Sequence, residues 1–198
     1  MVALQDGTLS SFLPCFHTDY VKSVLALNET HPHIATYVVF PSAIFGESVG
    51  PVRVFGEFQS LMYAKTKELG FVPYIGSGSA VANQIHVKAI IPFVLKLLAL
   101  SQEPSEPKGN AYERTWIIGG PNKTWKEVAE VYAKALYKKG IVAEPEARSV
   151  TMEEAGGPGV QVVLACDMTF KSPRAERLGY KYDQPDYAEY VQAGGDVA

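Results

Sequence analysis

The chain has 198 residues, 47% of them hydrophobic, and a formal net charge of −3. This length fits a single domain, or a domain with a small lobe, and supplies enough apolar residues for a real core. The small negative charge gives no electrostatic basis for binding nucleic acid or an anionic membrane, so we expect neither as a partner.

The sequence shows no feature that would target the chain to a membrane or for secretion. Its start, MVALQDGTLSS, lacks the basic residues and the long apolar core of a signal peptide. The longest apolar run, 89–100, contains Pro92 and Lys96 and is too short to span a bilayer. Cys15 and Cys166 have neither metal nor redox spacing, which is typical of a reducing compartment. We therefore expect a cytoplasmic protein without a metal site.

Apolar periodicity and turn residues predict helices and strands that alternate along the chain. The predicted elements, in chain order, are a helix at 19–29, a strand at 35–40, a helix at 53–69, strands at 71–75 and 84–87, a helix at 89–100, a strand at 112–118, a helix from 125 to about 139, and short helices at 173–178 and 186–192. The helix at 89–100 is apolar on nearly every side, so we expect it to be buried. Thr124 and Glu127 form a capping box. This alternation predicts an α/β fold with a mainly parallel sheet.

The turn Gly76-Ser77-Gly78 follows an apolar strand and raises the question of a phosphate-binding loop. A dinucleotide-binding turn has a third glycine or alanine and opens a helix, whereas Val81 stands at the third site here and a second strand follows. A turn between two strands leaves no helix N-terminus for a phosphate. The pattern therefore favours a structural turn over a phosphate loop.

Three stretches, in this order, carry a resemblance to a known family. Phe40-Pro41-Ser42-Ala43-Ile44-Phe45-Gly46 is similar to the P-x-x-I-Y-G turn of extended short-chain dehydrogenases/reductases. The glycine turn at 76–78 followed by Ile85-His86-Val87 resembles their G-x-G … H-V-x-D segment, and 174–180 (RAERLGY) resembles the end of that family. Over about residues 17 to 192 the chain resembles most closely the fungal NAD-dependent epimerase/dehydratase-like branch.

The resemblance implies a truncated Rossmann-like fold. We expect a single domain, 1–198, with a partial Rossmann-like core at about 18–101 and a substrate-side lobe at about 109–198. In the family a glycine-rich βαβ unit comes first and holds the cofactor, and here only 40 residues precede Pro41. We therefore expect the C-terminal half of the family fold without its nucleotide-binding half, as a fragment or as a shortened protein that folds alone.

The same resemblance places a substrate pocket beside the turn at 41–46, with aromatic walls and few polar groups. The residues that it implies for substrate binding are Pro41, Ile44, Phe45, Phe58, Gln59 and Arg174. His86 falls at a strand end in this half, where it fits either a catalytic residue or a hydrogen-bonded structural histidine. Arg174 fits a salt bridge equally well.

The family's catalytic Tyr-x-x-x-Lys pair precedes the P-x-x-I-Y-G strand, and here Leu13 and His17 fall near those two positions. His17 can act as an acid or a base near neutral pH, so it is the first predicted catalytic residue. Tyr63 and Lys67 repeat the spacing on a later helix and share one face. This later pair fits either a second catalytic choice or a solvated helix face.

Three functions remain open from the sequence. The first is a small-molecule biosynthetic enzyme of fungal secondary metabolism that catalyses a redox-neutral cyclisation, isomerisation or elimination without any cofactor, since acid–base residues and a shaped pocket suffice. The second is an NAD(P)-dependent epimerase or oxidoreductase whose other half lies elsewhere, and the third is a non-catalytic pseudoenzyme or binding module. In the family the helix at 19–29 lies in a dimer interface, so we also expect a homodimer.

Overall fold

The computed structural model describes residues 18–31, 33–47, 56–103, 113–157, 164–169 and 171–196. The chain divides into two compact units, Met1–Phe40 with Val94–Trp116 and Pro41–Phe93 with Ile117–Ala198. The helices are α1 (Thr18–Thr30), α2 (Glu57–Leu69), α3 (Val87–Leu100), α4 (Trp125–Lys138), α5 (Pro173–Arg177) and α6 (Tyr187–Gln192). The strands are β1 (Val38–Pro41), β2 (Ala43–Phe45), β3 (Pro73–Ile75), β4 (Val81–His86), β5 (Thr115–Ile118), β6 (Asn122–Thr124) and β7 (Arg148–Val150).

In the first unit, α1 precedes the start of β1, which pairs with β5. The Val38 N–H donates to the Arg114 carbonyl over 2.9 Å. The buried Arg114 guanidinium donates back to the Thr36 carbonyl over 3.2 Å. Beside these bonds the rings of Tyr37 and Trp116 stack nearly parallel, with centroids 6.1 Å apart. Backbone pairing and ring stacking together hold the two strand starts in register.

Parallel pairing organises the second unit, as the sequence predicts. β2 pairs with β4 in parallel, and β3 pairs with β7 in parallel. The other edge of β4 carries the short antiparallel strand β6, which the sequence pattern did not reveal. A three-residue strand, NKT, has too little apolar alternation to be recognised before its partner is known.

The core of the second unit lies under α4. The capping box at its start is confirmed: Thr124 N–H donates to Glu127 Oε2 over 2.7 Å, and Glu127 N–H donates to Thr124 Oγ1 over 3.2 Å. The bonds that the Thr124 N–H and hydroxyl donate to the carboxylate lower the pKa of Glu127. One side of the helix is fully buried, and its residues are Trp125, Val128, Ala129, Tyr132, Ala133 and Leu136.

Helix α3 corrects one prediction. Ala89, Phe93 and Leu97, spaced four residues apart, are at most 5% exposed. The rest of the helix surface is open, since Leu95 and Leu98 are 59% and 60% exposed. Burial on every side was therefore the wrong prediction, because only one stripe of this apolar helix packs against the described chain. No helix among the described residues is long and apolar enough to cross a membrane.

Candidate functional site

The parallel register of β2 and β4 places two predicted site residues side by side. Phe45 aligns with His86, and their rings meet edge to face with centroids 5.1 Å apart. Gly46 follows with φ of 104°, and a Cβ there would lie 2.8 Å from Nε2 of His86. A side chain at position 46 would thus meet both backbone strain and the imidazole. The glycine of the P-x-x-I-Y-G-like turn is required by this histidine.

The contacts of His86 fix its protonation state. The Lys88 backbone N–H donates to Nδ1 over 3.1 Å, so the neutral ring carries its proton on Nε2. Burial, and then the positive charge of Lys88, lower the pKa of His86. Protonation of Nδ1 would break the bond from Lys88. The imidazole is 5% exposed, so burial and the bond from Lys88 both favour its neutral form.

Two residues that sequence reasoning missed complete an aromatic cluster around this pair, defined here as Phe45, Phe58, His86, Tyr187 and Tyr190. Tyr187 contacts Phe45 and Phe58, with ring centroids 5.4 Å and 5.8 Å apart. Tyr190 contacts Phe45 and His86 at 5.5 Å and 5.4 Å. The available signal was the capping box Asp186–Glu189, which starts α6 and presents both tyrosines three residues apart.

Gln59 lies at the edge of the aromatic cluster with an unusual polar environment. It is 2% exposed. Burial and then the neighbouring Tyr132 raise the pKa of the Tyr187 phenol, and the nearby Gln59 side chain lowers it by less. Yet neither the amide atoms of Gln59 nor the Tyr187 hydroxyl reach hydrogen-bond geometry with a described atom. Buried polar atoms without such bonds destabilise a core, so this pair is a candidate contact for a bound water or ligand.

The Tyr-x-x-x-Lys pair on α2 does not form the geometry of an acid with an activating lysine. Lys67 Nζ lies 5.9 Å from the centroid of the Tyr63 ring, over its face. The neighbouring Lys65 pairs with Glu68 over 2.7 Å. Tyr63 itself is half-buried and packs against the core.

The remaining predicted site residues are spread over other surfaces. Pro41 is exposed and Ile44 is 38% exposed, so both lie outside the aromatic cluster. Arg174 is half-buried on α5. His17 falls outside the described residues. The structure thus brings Phe45, Phe58, Gln59 and His86 together.

The glycine turn at 76–78 is a structural turn. Gly78 has φ of 65°, and a Cβ there would lie 2.7 Å from both the Lys126 Cβ and the Tyr74 ring. The carbonyl of Gly78 accepts the Lys126 N–H, which docks the turn onto the start of α4. β4 follows the turn, so its amides do not open a helix. The residues of this turn therefore do not fit the pyrophosphate of a dinucleotide.

In the part of the chain that the structure describes, no group of three or more histidine, cysteine or acidic residues is placed to hold a metal ion. No protein-family model and no curated protein matches the sequence.

Solved structures do match. The dTDP-glucose 4,6-dehydratase of Bacillus anthracis, solved with NAD, superposes with a TM-score of 0.56 at 16% identity, covering 94% of this chain and 53% of that chain. The dTDP-glucose 4,6-dehydratase of Streptomyces venezuelae, also solved with NAD, gives 0.55 at 16% identity, covering 88% and 46%. The UDP-glucose 4-epimerase of Thermotoga maritima, solved with UDP-glucose, gives 0.53 at 15% identity, covering 88% and 50%.

These neighbours overturn the prediction that no cofactor is involved. Both dehydratases were solved with NAD, whereas the prediction of no cofactor rested on the lack of a glycine-rich βαβ unit in this sequence. A Rossmann-like fold holds its dinucleotide in a different βαβ unit from the one that lines the substrate. The lack of a glycine-rich loop in the substrate-side part therefore does not exclude a cofactor.

The α/β prediction, with parallel pairing and covering helices, is confirmed by the same neighbours. The chain spans about half the length of these proteins. It therefore has a Rossmann-like fold similar to that of NAD-dependent sugar dehydratases and epimerases, over about half of their length.

Proposed function

We propose that the chain supplies the substrate-side part of an NAD-dependent enzyme that epimerises or dehydrates a nucleotide-activated sugar or a similar hydroxylated molecule. The observation that carries this proposal is the superposition on two dehydratases and an epimerase over about half of their length. Epimerisation is an isomerisation and dehydration is an elimination. Two of the three reaction classes expected from the sequence therefore agree with what those neighbours are named for, whereas cyclisation has no counterpart among them.

NAD would be held outside the described residues. The turn at 76–78 packs against the start of α4 and is followed by a strand, so it does not offer a phosphate site. The nicotinamide site would belong to another part of the polypeptide or to a second chain.

The aromatic cluster would act as a rigid floor beneath the substrate. Phe45, Phe58 and Tyr187 are at most 4% exposed, so they shape the site through packing. Gln59 and the Tyr187 hydroxyl would orient a substrate hydroxyl or a water, since both have polar atoms to satisfy. Proton transfer falls to His17, the first candidate, or to Tyr63, whose phenol is partly accessible.

The test is a titration of the chain with UDP-glucose and dTDP-glucose, followed by backbone amide NMR, together with an assay for sugar conversion with and without NAD. We expect shifts at Gly46 and Gln59 in the chain alone, and NAD-dependent conversion when the part that holds NAD is also supplied. Conversion at full rate without NAD, or no binding of either sugar nucleotide at millimolar concentration, would sink the proposal.

A second candidate, a non-catalytic binding module, is favoured by one observation: the predicted aromatic walls pack on one another and His86 is held neutral. His17→Ala and Tyr63→Phe separate the two candidates. A general acid or base contributes about 10²–10⁴-fold in rate, so an enzyme should lose at least about 100-fold in one of these variants. A binding module would keep its ligand affinity in both variants and show no turnover.

We further propose that the chain forms a homodimer through α1. Val24 and Leu27 on this helix are 37% and 39% exposed, which leaves an apolar strip for a second copy. The sequence resemblance places the same helix in a dimer interface. Sedimentation at micromolar concentration should give about twice the 21.6 kDa of the chain, and a Val24→Lys and Leu27→Lys variant should sediment as a monomer.

A further inference from the structure

A cleft of about 400 Å³ lies on the other face of β4 from His86. Asn83 of β4, the Gly119-Gly120 turn after β5 and the segment 171–182 form its walls. Alternation along a strand sends Asn83 and His86 to opposite faces, so this cleft is separate from the aromatic cluster. Its volume is within the range of sites for small organic molecules.

Asn83, which lines this cleft, carries one unsatisfied buried acceptor. Its Nδ2 donates to the Gly120 carbonyl over 2.8 Å and to Asn122 Oδ1 over 2.6 Å. A carbonyl can only accept, so these bonds fix the orientation of the amide. Oδ1 is then left buried without a hydrogen bond from any described residue, on a side chain that is 2% exposed. Asn83 Oδ1 therefore lacks a hydrogen-bond donor, which a hydroxyl could supply.

The two tyrosine hydroxyls in the cleft walls already donate hydrogen bonds to backbone carbonyls. Tyr180 Oη donates to the Gly119 carbonyl over 2.8 Å, and Tyr182 Oη donates to the Pro185 carbonyl over 2.7 Å. Burial raises the pKa of Tyr182 to about 12, so its hydroxyl remains protonated at neutral pH. A Cβ at Gly120 would lie 2.9 Å from the Tyr182 ring, which shows how closely turn and ring pack.

The charged groups at the rim are two lysines and one carboxylate. Lys171 and Lys181 are exposed, and neither forms an ion pair with a carboxylate of the described ranges. Ser172 adds a hydroxyl, and Glu176 adds one negative charge. Two ammonium groups and a hydroxyl match the three acceptor oxygens of a phosphate. Glu176 and Asn83 Oδ1 are acceptors, so they favour a ligand that also carries hydroxyl donors.

We propose that this cleft binds a hydroxylated organic phosphate of monosaccharide size, with its phosphate at Lys171 and Lys181 and a hydroxyl donating to Asn83 Oδ1. The site is independent of the substrate-side role proposed above, because none of its residues belongs to the aromatic cluster. One small molecule with a phosphate and several hydroxyls could pair with the two lysines and also donate to the buried Asn83 Oδ1.

The experiment is a calorimetric and NMR titration of the full chain with glucose 1-phosphate, compared with glucose, inorganic phosphate and glucuronate. We expect glucose 1-phosphate to bind at least about tenfold more tightly than each of the other three, with shifts at the Gly119 and Gly120 amides and the Asn83 side-chain amide. Equal affinity for inorganic phosphate would mean an adventitious ion only, and equal affinity for glucuronate would remove the preference for phosphate. Either result overturns the proposal.

Lysine variants provide the second arm, because Asn83 also holds the Gly120 turn and its replacement can unfold the chain. Lys171→Gln and Lys181→Gln should each weaken the binding of glucose 1-phosphate by about twofold to fivefold, as expected for exposed charge contacts. Lys138→Gln, an exposed lysine at the end of α4, is the matched control and should bind like the wild type. Wild-type affinity in both cleft variants, or shifts centred on Gly46, would overturn the assignment.

Discussion

The two faces of β4 carry opposite kinds of surface. On one face His86 belongs to the aromatic cluster, where its ring and that of Phe45 meet their neighbours at 5.1–5.5 Å and every member except Tyr190 is at most 5% exposed. On the other face Asn83 borders an open cleft with two lysines. The face that the family resemblance marked for substrate is the more tightly packed one. Residues of the stretches that resemble the family thus lie on both faces: Phe45 and His86 are fixed by packing, whereas Glu176 and Tyr180 line the open cleft.

The largest expected effect tests the packed face. Phe45→Ala should lower the free energy of unfolding by about 3–5 kcal/mol, because it removes a ring that contacts three other members of the aromatic cluster. Ile44→Ala, one residue earlier on the same strand and 38% exposed, is the control and should cost clearly less. Denaturant unfolding measures both. Equal losses would show that the cluster is no better packed than the surface beside it.

The next effect tests the fit between Gly46 and His86. Gly46→Ala combines a positive φ with the close approach to Nε2 and should cost about 1–3 kcal/mol. Gly70→Ala is the matched control, since Gly70 also has positive φ, 78°, but a Cβ there would meet nothing within 4 Å. The excess loss at Gly46 should shrink when His86→Ala is added. If the two glycine variants lose the same amount, the imidazole does not constrain the turn.

A smaller effect follows from the lowered pKa of His86. The unfolded state keeps the ordinary value of 6.5, so below that pH it binds a proton more readily than the folded state. The contribution of His86 to stability is therefore complete above pH 6.5 and is lost as the pH falls through the folded pKa. As the pH falls from 8 to 5, the free energy of unfolding should decline more steeply in the wild type than in His86→Gln. Parallel pH profiles would contradict a lowered pKa.

The smallest effect belongs to the open face. Lys181→Gln should change the free energy of unfolding by less than about 0.5 kcal/mol, because an exposed lysine without an ion pair to a described carboxylate contributes little to folding. Its effect should appear only in ligand affinity. A loss as large as that of Gly46→Ala would mean that the lysine supports the cleft wall rather than a ligand.

The sequence by itself determined the local elements. The Thr124–Glu127 capping box predicted the start of α4, and Pro173 predicted α5, because caps and proline act within one turn of chain. The poor third position of the glycine turn predicted a structural role for Gly76–Gly78, which the packing of Gly78 on Lys126 confirms. The alternation of elements was also sufficient to predict an α/β fold, because apolar periodicity reflects secondary structure directly.

Only the tertiary structure decided what surrounds each side chain. The contacts of Tyr187 and Tyr190 with His86 and Phe45 join residues about 100 or more positions apart, and no local pattern encodes such a distance. The open outer face of α3 likewise depends on which elements pack beside it, so an apolar sequence alone could not show it. The free Oδ1 of Asn83 depends on where the Gly120 carbonyl lies, because a hydrogen bond requires a partner that folding brings within about 3 Å.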